Sequence, residues 1–500
     1  MSGIKKITLI EPRPPGYHVY TRSALPRLGL PLLGALLKKS GYDVSIYCED
    51  FGEIDYADVL SSDVVGISTT TSTALGAYRI ADRVKAANIP VLIGGSHASF
   101  MPDEALNHAD FVVRGEGEYT LMETMDALKS GSGYAGIKGL SYRIGNENRH
   151  NEDRELVCNL DDLPFPDLSL IHGNERIKVS PISTSRGCPF GCSFCSVIHM
   201  FGRKYRLRSV PSVIEEIRQL NAKQLFFYDD NFTAQPERTK TLLEAMIRED
   251  LVVPWTAQAR VDVVRDKELL KLMKRTDCQM LYIGFESTNP ATLEEFHKNQ
   301  SVDEIVEAVR LLHEHGIMTH GMFVFGSDSD TVDDLRATTQ FALKNKIDTI
   351  QFMILTPFPG TPFFKEIESQ DRLLTRDWHL YDGQHVVFEP AKMTAYELQK
   401  EAFKAMKQFY SLKESIKLLL GVDTWKMAAT LNLNLLLGRW HTAKREIHTA
   451  LLRLVYRGYA NMLIRKWEAA NKDVGEIVSV LAQKAHRLRE QSKRSIGKIE

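Results

Sequence analysis

Residues Ser185 to Val197 read SRGCPFGCSFCSV and hold three of the chain's 6 cysteines. In a chain of this composition, three cysteines at prescribed spacings should arise by chance roughly once in a thousand chains. Disulfides do not explain them. Three thiols is an odd number, the intervals are short, and no signal peptide points to an oxidising compartment. A structural zinc site usually takes four ligands, often as two separated pairs. Here the second pair is missing, since Cys48, Cys158 and Cys278 stand alone. His199 offers a fourth ligand, and on spacing alone that reading stays open. Three soft thiolates at Cys188, Cys192 and Cys195, on one tight loop, suit an iron–sulfur cluster better. Such clusters are normally held by four cysteines. Three leave one iron open, and an open metal position usually means chemistry.

The loop follows a strand candidate, VSPIST, that opens a β/α series from about residue 180 to 390. The strand candidates are SPIST, QLFFYDD, PWTAQA, MLYIGF, THGMFVFG and IQFMILTP, with helical patterns such as VPSVIEEIRQL and VDEIVEAVRLLHEHG between them. Six such units fit an open, partial (β/α)6 version of the closed barrel, whose functional groups sit at strand C-terminal ends. Those ends are polar here. Asp229, Asp230 and Asn231 follow the second strand, Gln258 and Arg260 the third, Glu286 and Ser287 the fourth. An Arg suits a ligand carboxylate, and an acidic residue suits an ammonium or a diol. Asp230 and Glu286 would equally serve as helix caps.

Upstream, residues 1–144 form another strand and helix alternation, with KKITLI, DVSIYC, DVVGIST, PVLIGG and DFVVRG as strands. Strand, helix, strand in sequence predicts a doubly wound parallel sheet, with ligands at the carboxyl ends of its strands. Those ends carry STTTST from Ser68, GGSHAS with Gly94, Gly95 and His97, and RGEGE with Gly115 and Glu116. Small and hydroxyl residues let a large ligand approach the backbone, although the glycines also suit plain turns. No G-x-G-x-x-G follows the first strand, which argues against a dinucleotide. Residues 145–179 are polar and proline-broken and read as a linker. If the first domain folds independently, a fragment ending near Ile144 should bind its ligand alone.

Residues 391–500 look helical throughout and net basic. They suit a cap packed on the barrel with solvated arginines, or a peripheral contact with anionic lipid or a greasy substrate. At 500 residues and a net charge of −1, the chain should hold two or three domains and gives no argument for nucleic acid. No run approaches the roughly 20 apolar residues of a membrane span. The sparse cysteines fit a reducing cytoplasm.

The cysteine loop, with Phe194 before its last Cys, resembles the cluster loop of radical S-adenosylmethionine (SAM) enzymes. GGSHASFMPDEAL and DFVVRGEGE, with LPRLGLPLLGALLKKSGYDV before them, resemble the cobalamin-binding domain that precedes many of those enzymes. The resemblance implies a [4Fe–4S] cluster on Cys188, Cys192 and Cys195, its open iron chelated by the amino and carboxylate groups of SAM. Electron transfer then cleaves SAM to a 5′-deoxyadenosyl radical. Asp-Asp-Asn at 229–231 stands where the family carries Gly-Gly-Glu for the SAM ammonium, and Arg260 and Glu286 match SAM-contacting positions. The cobalt-ligating D-x-H-x-x-G signature is absent. His97 is the alternative ligand, or else bonds backbone or a corrin amide. The implied activity is cobalamin-mediated C-methylation of an unactivated carbon in a small molecule, a lipid or tetrapyrrole among the candidates. A one-electron reductant such as flavodoxin or ferredoxin would serve it. Radical oxidation, cyclisation or rearrangement without methyl transfer is the first rival, and a non-enzymatic cobalamin and cluster sensor the second.

Overall fold

The computed structural model of the protein describes residues 3–14, 25–419 and 433–470. Short β-branched runs, apolar on both faces, form two parallel sheets because helices cover them. The first sheet contains β1 (Lys6–Glu11), β2 (Asp43–Cys48), β3 (Val64–Ser68), β4 (Val91–Gly94), β5 (Phe111–Val113), β6 (Leu140–Ile144) and β7 (Glu147–His150), in the order β2-β1-β3-β4-β5-β6-β7. The first five strands are parallel, and β6 and β7 close the edge as an antiparallel hairpin. The stretch expected to open a linker at residue 145 thus begins as the second arm of a hairpin. Its residues face solvent, so the edge strand lacks an apolar signature. Further along, Ile171 bridges back to Ile46 and enters the core beneath β2.

The second unit runs through β8 (Ser180–Ile182), β9 (Ser185–Arg186), β10 (Arg206–Leu207), β11 (Leu225–Phe227), β12 (Trp255–Ala259), β13 (Cys278–Glu286), β14 (Met318–Phe325) and β15 (Thr349–Ile354). Six of these make an open parallel sheet in the order β15-β14-β13-β12-β11-β8, the partial barrel expected. The strands β9 and β10 pair separately, antiparallel, and close the base of the cysteine loop.

The two units share a core. Phe364, Trp378, Tyr381 and Val387, from the chain leaving the barrel, pack with Ile10, Ile67, Ala77 and Ile93 of the first unit. The Trp378 indole N–H donates to Glu104 at 2.8 Å. Gly360, at φ +86°, sits so close to the Phe100 ring that no Cβ fits between them.

At the C-terminal end, helix Ala395–Phe409 packs against helix Val332–Lys344, and Tyr410 Oη bridges the N–H and C=O of Ile350 at 2.9 and 2.7 Å. Helices Leu412–Leu419 and Leu433–Ala470 pack on one another. The long helix is fixed to the barrel through buried Asp348, which accepts from Arg445 at 3.0 Å and from the Thr449 hydroxyl, while Arg453 donates to the Asp348 carbonyl at 3.1 Å. Arg453 is therefore buried rather than a solvated surface charge. The expected helical pattern over 420–432 and 471–500 lies outside the described residues. Among the described residues no helix is long and apolar enough to cross a membrane.

Candidate functional site

The cysteine loop leaves β9 at Gly187, whose φ of +85° and close approach to the carbonyls of Phe201, Gly202 and Lys204 exclude any side chain. Ser193 ties the loop to the barrel, its hydroxyl donating to the Glu295 carbonyl at 3.0 Å. Phe194 packs edge-on against Phe296, ring centres 4.8 Å apart. These anchors leave Cys188, Cys192 and Cys195 half-buried as free thiols. Burial pushes the Cys188 thiol up, and the Cys195 thiol up to about 12. Three soft donors on one loop fit a cluster with an open iron. The remaining cysteines are dispersed, Cys48 and Cys278 buried and Cys158 exposed. Among the described residues, no three His, Cys, Asp or Glu side chains converge on a single metal ion.

Above the loop lies one cavity of about 650 Å³, formed where the carboxyl ends of both sheets meet. Ser68, Gly94, Gly95, Gly115 and Glu116 line one side, and Ser185, Arg186, Ser196, Tyr228 and Asp230 the other. The sequence-predicted positions of the first sheet thus converge with both ends of the cysteine loop. Gly95, at φ +94°, lies against the Thr69 backbone, where a Cβ would collide. Backbone and hydroxyls therefore form this wall, and its small residues and neutral polar donors suit the amide rim of a ligand such as cobalamin.

Two expectations change. His97 is buried and points away from the cavity, its Nε2 3.3 Å from Glu104 and its ring edge-on to Trp378. The short helix Ser96–Phe100 turns it into the shared core, so it is neither placed as a cobalt ligand nor bonded to backbone. Glu116 borders the cavity, but protein donors occupy its carboxylate. Arg206 reaches both oxygens at 2.8 and 2.9 Å, Arg186 comes within 3.1 Å, and the Val157 N–H donates at 2.7 Å. With Glu118, which accepts from Arg186 at 2.5 Å, it forms a buried ionic clamp between the first sheet and the base of the cysteine loop.

In the barrel, Asp229 is buried and locks the root of β9, accepting from the Thr184 N–H and hydroxyl at 3.1 and 2.9 Å and from the Ser185 hydroxyl. Asp230 instead faces the cavity. The surrounding protein and the neighbouring Asp229 push its carboxyl upward, although the side chain is open to solvent on the cavity side. Arg260 and Glu286 lie beside the cysteine loop but outside that cavity's lining. The Arg260 guanidinium stacks 3.8 Å from the centre of the Phe190 ring and donates to the Lys298 carbonyl at 2.5 Å. Glu286 adopts φ +60° at an irregularity between β13 and β14, and its carboxylate meets the Lys298 ammonium at 2.8 Å. A non-glycine residue held in that conformation at a strand end is common where a side chain is aimed at a site. Lys298, which joins both residues, was not singled out from the sequence.

Residues 182–342 match the radical SAM superfamily and residues 19–124 the B12 binding domain. An uncharacterized methyltransferase of Pyrococcus horikoshii is 35% identical over 404 residues, 77% of this chain and 88% of that protein. The bacteriochlorophyllide d C-12(1)-methyltransferase of Chlorobaculum tepidum is 33% identical over 417 residues, 81% of this chain and 87% of that protein. Among solved structures, the cobalamin-dependent SAM radical enzyme OxsB with aqua-cobalamin and SAM bound superposes with a TM-score of 0.67 at 15% identity, over 99% of this chain and 80% of its own. The three thiols on one loop, the cavity joining two sheet edges and these relatives agree: the chain belongs to the radical SAM enzymes that carry an N-terminal B12-binding domain, and its cofactors are a [4Fe–4S] cluster, SAM and cobalamin.

Proposed function

We propose that this enzyme methylates an unactivated carbon of a small hydrophobic molecule, with lipids and tetrapyrroles the classes to examine first. The observation that carries this reading is the shared cavity onto which the carboxyl ends of both sheets open. When bound, the cluster and SAM supply a hydrogen-abstracting radical, and cobalamin supplies the methyl group. The chain's own residues bind, orient and exclude water. Cys188, Cys192 and Cys195 hold the cluster. Ser68, Gly94, Gly95 and Gly115 receive cobalamin against the backbone of the first sheet. At the barrel's strand ends, Asp230 takes the SAM ammonium, Arg260 its carboxylate and Glu286 its ribose diol, matching each charge or hydroxyl to an opposite partner. Leu28, Leu32, Leu121, Leu160, Leu163 and Met200 make much of the remaining cavity wall apolar, which suits a hydrophobic substrate and keeps water from reactive species. The electron donor is a one-electron protein such as flavodoxin or ferredoxin.

Profiles of cellular lipids and pigments, with and without the gene, test this reading. One compound class should lose a CH2 unit when the gene is removed. A changed compound with its carbon count intact would replace methyl transfer with oxidation, cyclisation or rearrangement.

A further inference from the structure

We propose that the outer face of the C-terminal helices rests on an anionic membrane surface. Among its described side chains, helix Leu433–Ala470 buries several polar groups beside Ala450, Ala460 and Ile464, and exposes a row of apolar ones. Inward, Glu446 pairs with Lys346 at 2.6 Å, and Thr449 and Arg453 bond to Asp348. Outward, Ile447, Leu451, Val455 and Met462 are 40%, 53%, 59% and 39% exposed. Their spacing places them along one side of the helix. On the helix packed against it, Leu412 and Ile416 are exposed as well. Half of the large apolar residues exposed among the described residues thus fall on these two helices. A surface helix of a globular protein normally turns polar side chains to solvent, and exposed apolar patches mark contact sites.

Charge selects the partner. On the outside of these helices Lys413, Lys417 and Arg465 are exposed; Glu446 is turned in onto Lys346, and the largely covered Glu414 pairs with Lys417. Residues 391–500 hold 21 Lys or Arg against 10 Asp or Glu, in a chain whose net charge is −1. Anionic headgroups take the basic side chains while the interface below them takes Leu, Ile and Val. A symmetric pairing with a second copy would instead bring like charges together. The contact lies on the surface, since no described helix is long and apolar enough to cross a membrane. The inference is independent of which radical reaction the enzyme performs.

Flotation of the full-length, cluster-loaded protein with vesicles tests it. Vesicles of phosphatidylcholine and phosphatidylglycerol in equal parts should bind at least about tenfold more tightly than phosphatidylcholine alone, and salt should shrink the difference. Leu451→Glu/Val455→Glu should lose about tenfold or more in binding with iron content and melting temperature held. Leu451→Ser/Val455→Ser, expected to fall between, replaces it if the carboxylates disturb folding. Lys413→Glu/Lys417→Glu should weaken binding and flatten its salt dependence. Absence of binding to the anionic vesicles, or binding indifferent to these substitutions, overturns the proposal. A dimer dissociated by Leu451→Glu/Val455→Glu, without vesicle binding, would also overturn it and assign the face to a second copy.

Discussion

Cys188, Cys192 and Cys195 differ from the other three thiols in being gathered on one anchored loop. Replacing all three with Ala should remove the bound iron and its visible thiolate-to-iron absorption from anaerobically reconstituted protein. The Ala variants of Cys48, Cys158 and Cys278 should keep both. Asp230 gives a pH signature. Its carboxyl is raised in the folded protein, so its contribution to stability is present below the unfolded value of about 4 and is lost as pH rises through about 7. In thermal scans without SAM, Asp230→Asn should therefore melt close to the parent near pH 4 and only slightly above it at neutral pH, since solvent screens this exposed carboxyl. The same substitution should weaken SAM binding most above pH 7, where the parent carboxylate is charged. Local pattern made the thiol loop and Asp230 readable in the sequence. Glu116 lines the cavity, but its pairing with Arg206, 90 residues away, was not legible in the sequence. Lys298 was missed because only the turn of Glu286 into positive φ brings the two together.

The strands β1 to β5 and the six barrel strands announce themselves as apolar runs because parallel strands are buried on both faces. The edge strand β7 does not, because it faces solvent. The larger omission is the tail after β15. Trp378 and Tyr381 lie within the stretch assigned to the barrel series, yet they complete the core of the first unit. Trp378→Ala should cost about 3–5 kcal/mol in urea unfolding and weaken cobalamin binding, although Trp378 does not line the cavity. A fragment of residues 1–150 should bind hydroxocobalamin far more weakly than the whole chain, reversing the expectation from an independently folding domain. The ionic clamp behaves as a unit too. Arg206 and Glu116 side chains are each 2% exposed. Arg206→Met should therefore cost about 3–5 kcal/mol in the same unfolding experiment by leaving a buried carboxylate short of its partner.

At the scale of the molecule, two sheets are turned carboxyl edge to carboxyl edge, so the ligand-binding ends of both open on one cavity. Two cofactors that act on one substrate must meet, which this facing allows; the shared core and clamp that hold it join residues too far apart in the chain to be legible in the sequence. The central claim is that a methyl group crosses that cavity. Its most direct test is turnover of the reconstituted enzyme with reductant, an extract containing the compound found by profiling, and SAM carrying a deuterated methyl. The account predicts S-adenosylhomocysteine and 5′-deoxyadenosine in near-equal amounts and deuterium in the product. Deoxyadenosine without matching homocysteine product, and a product free of deuterium, would contradict it.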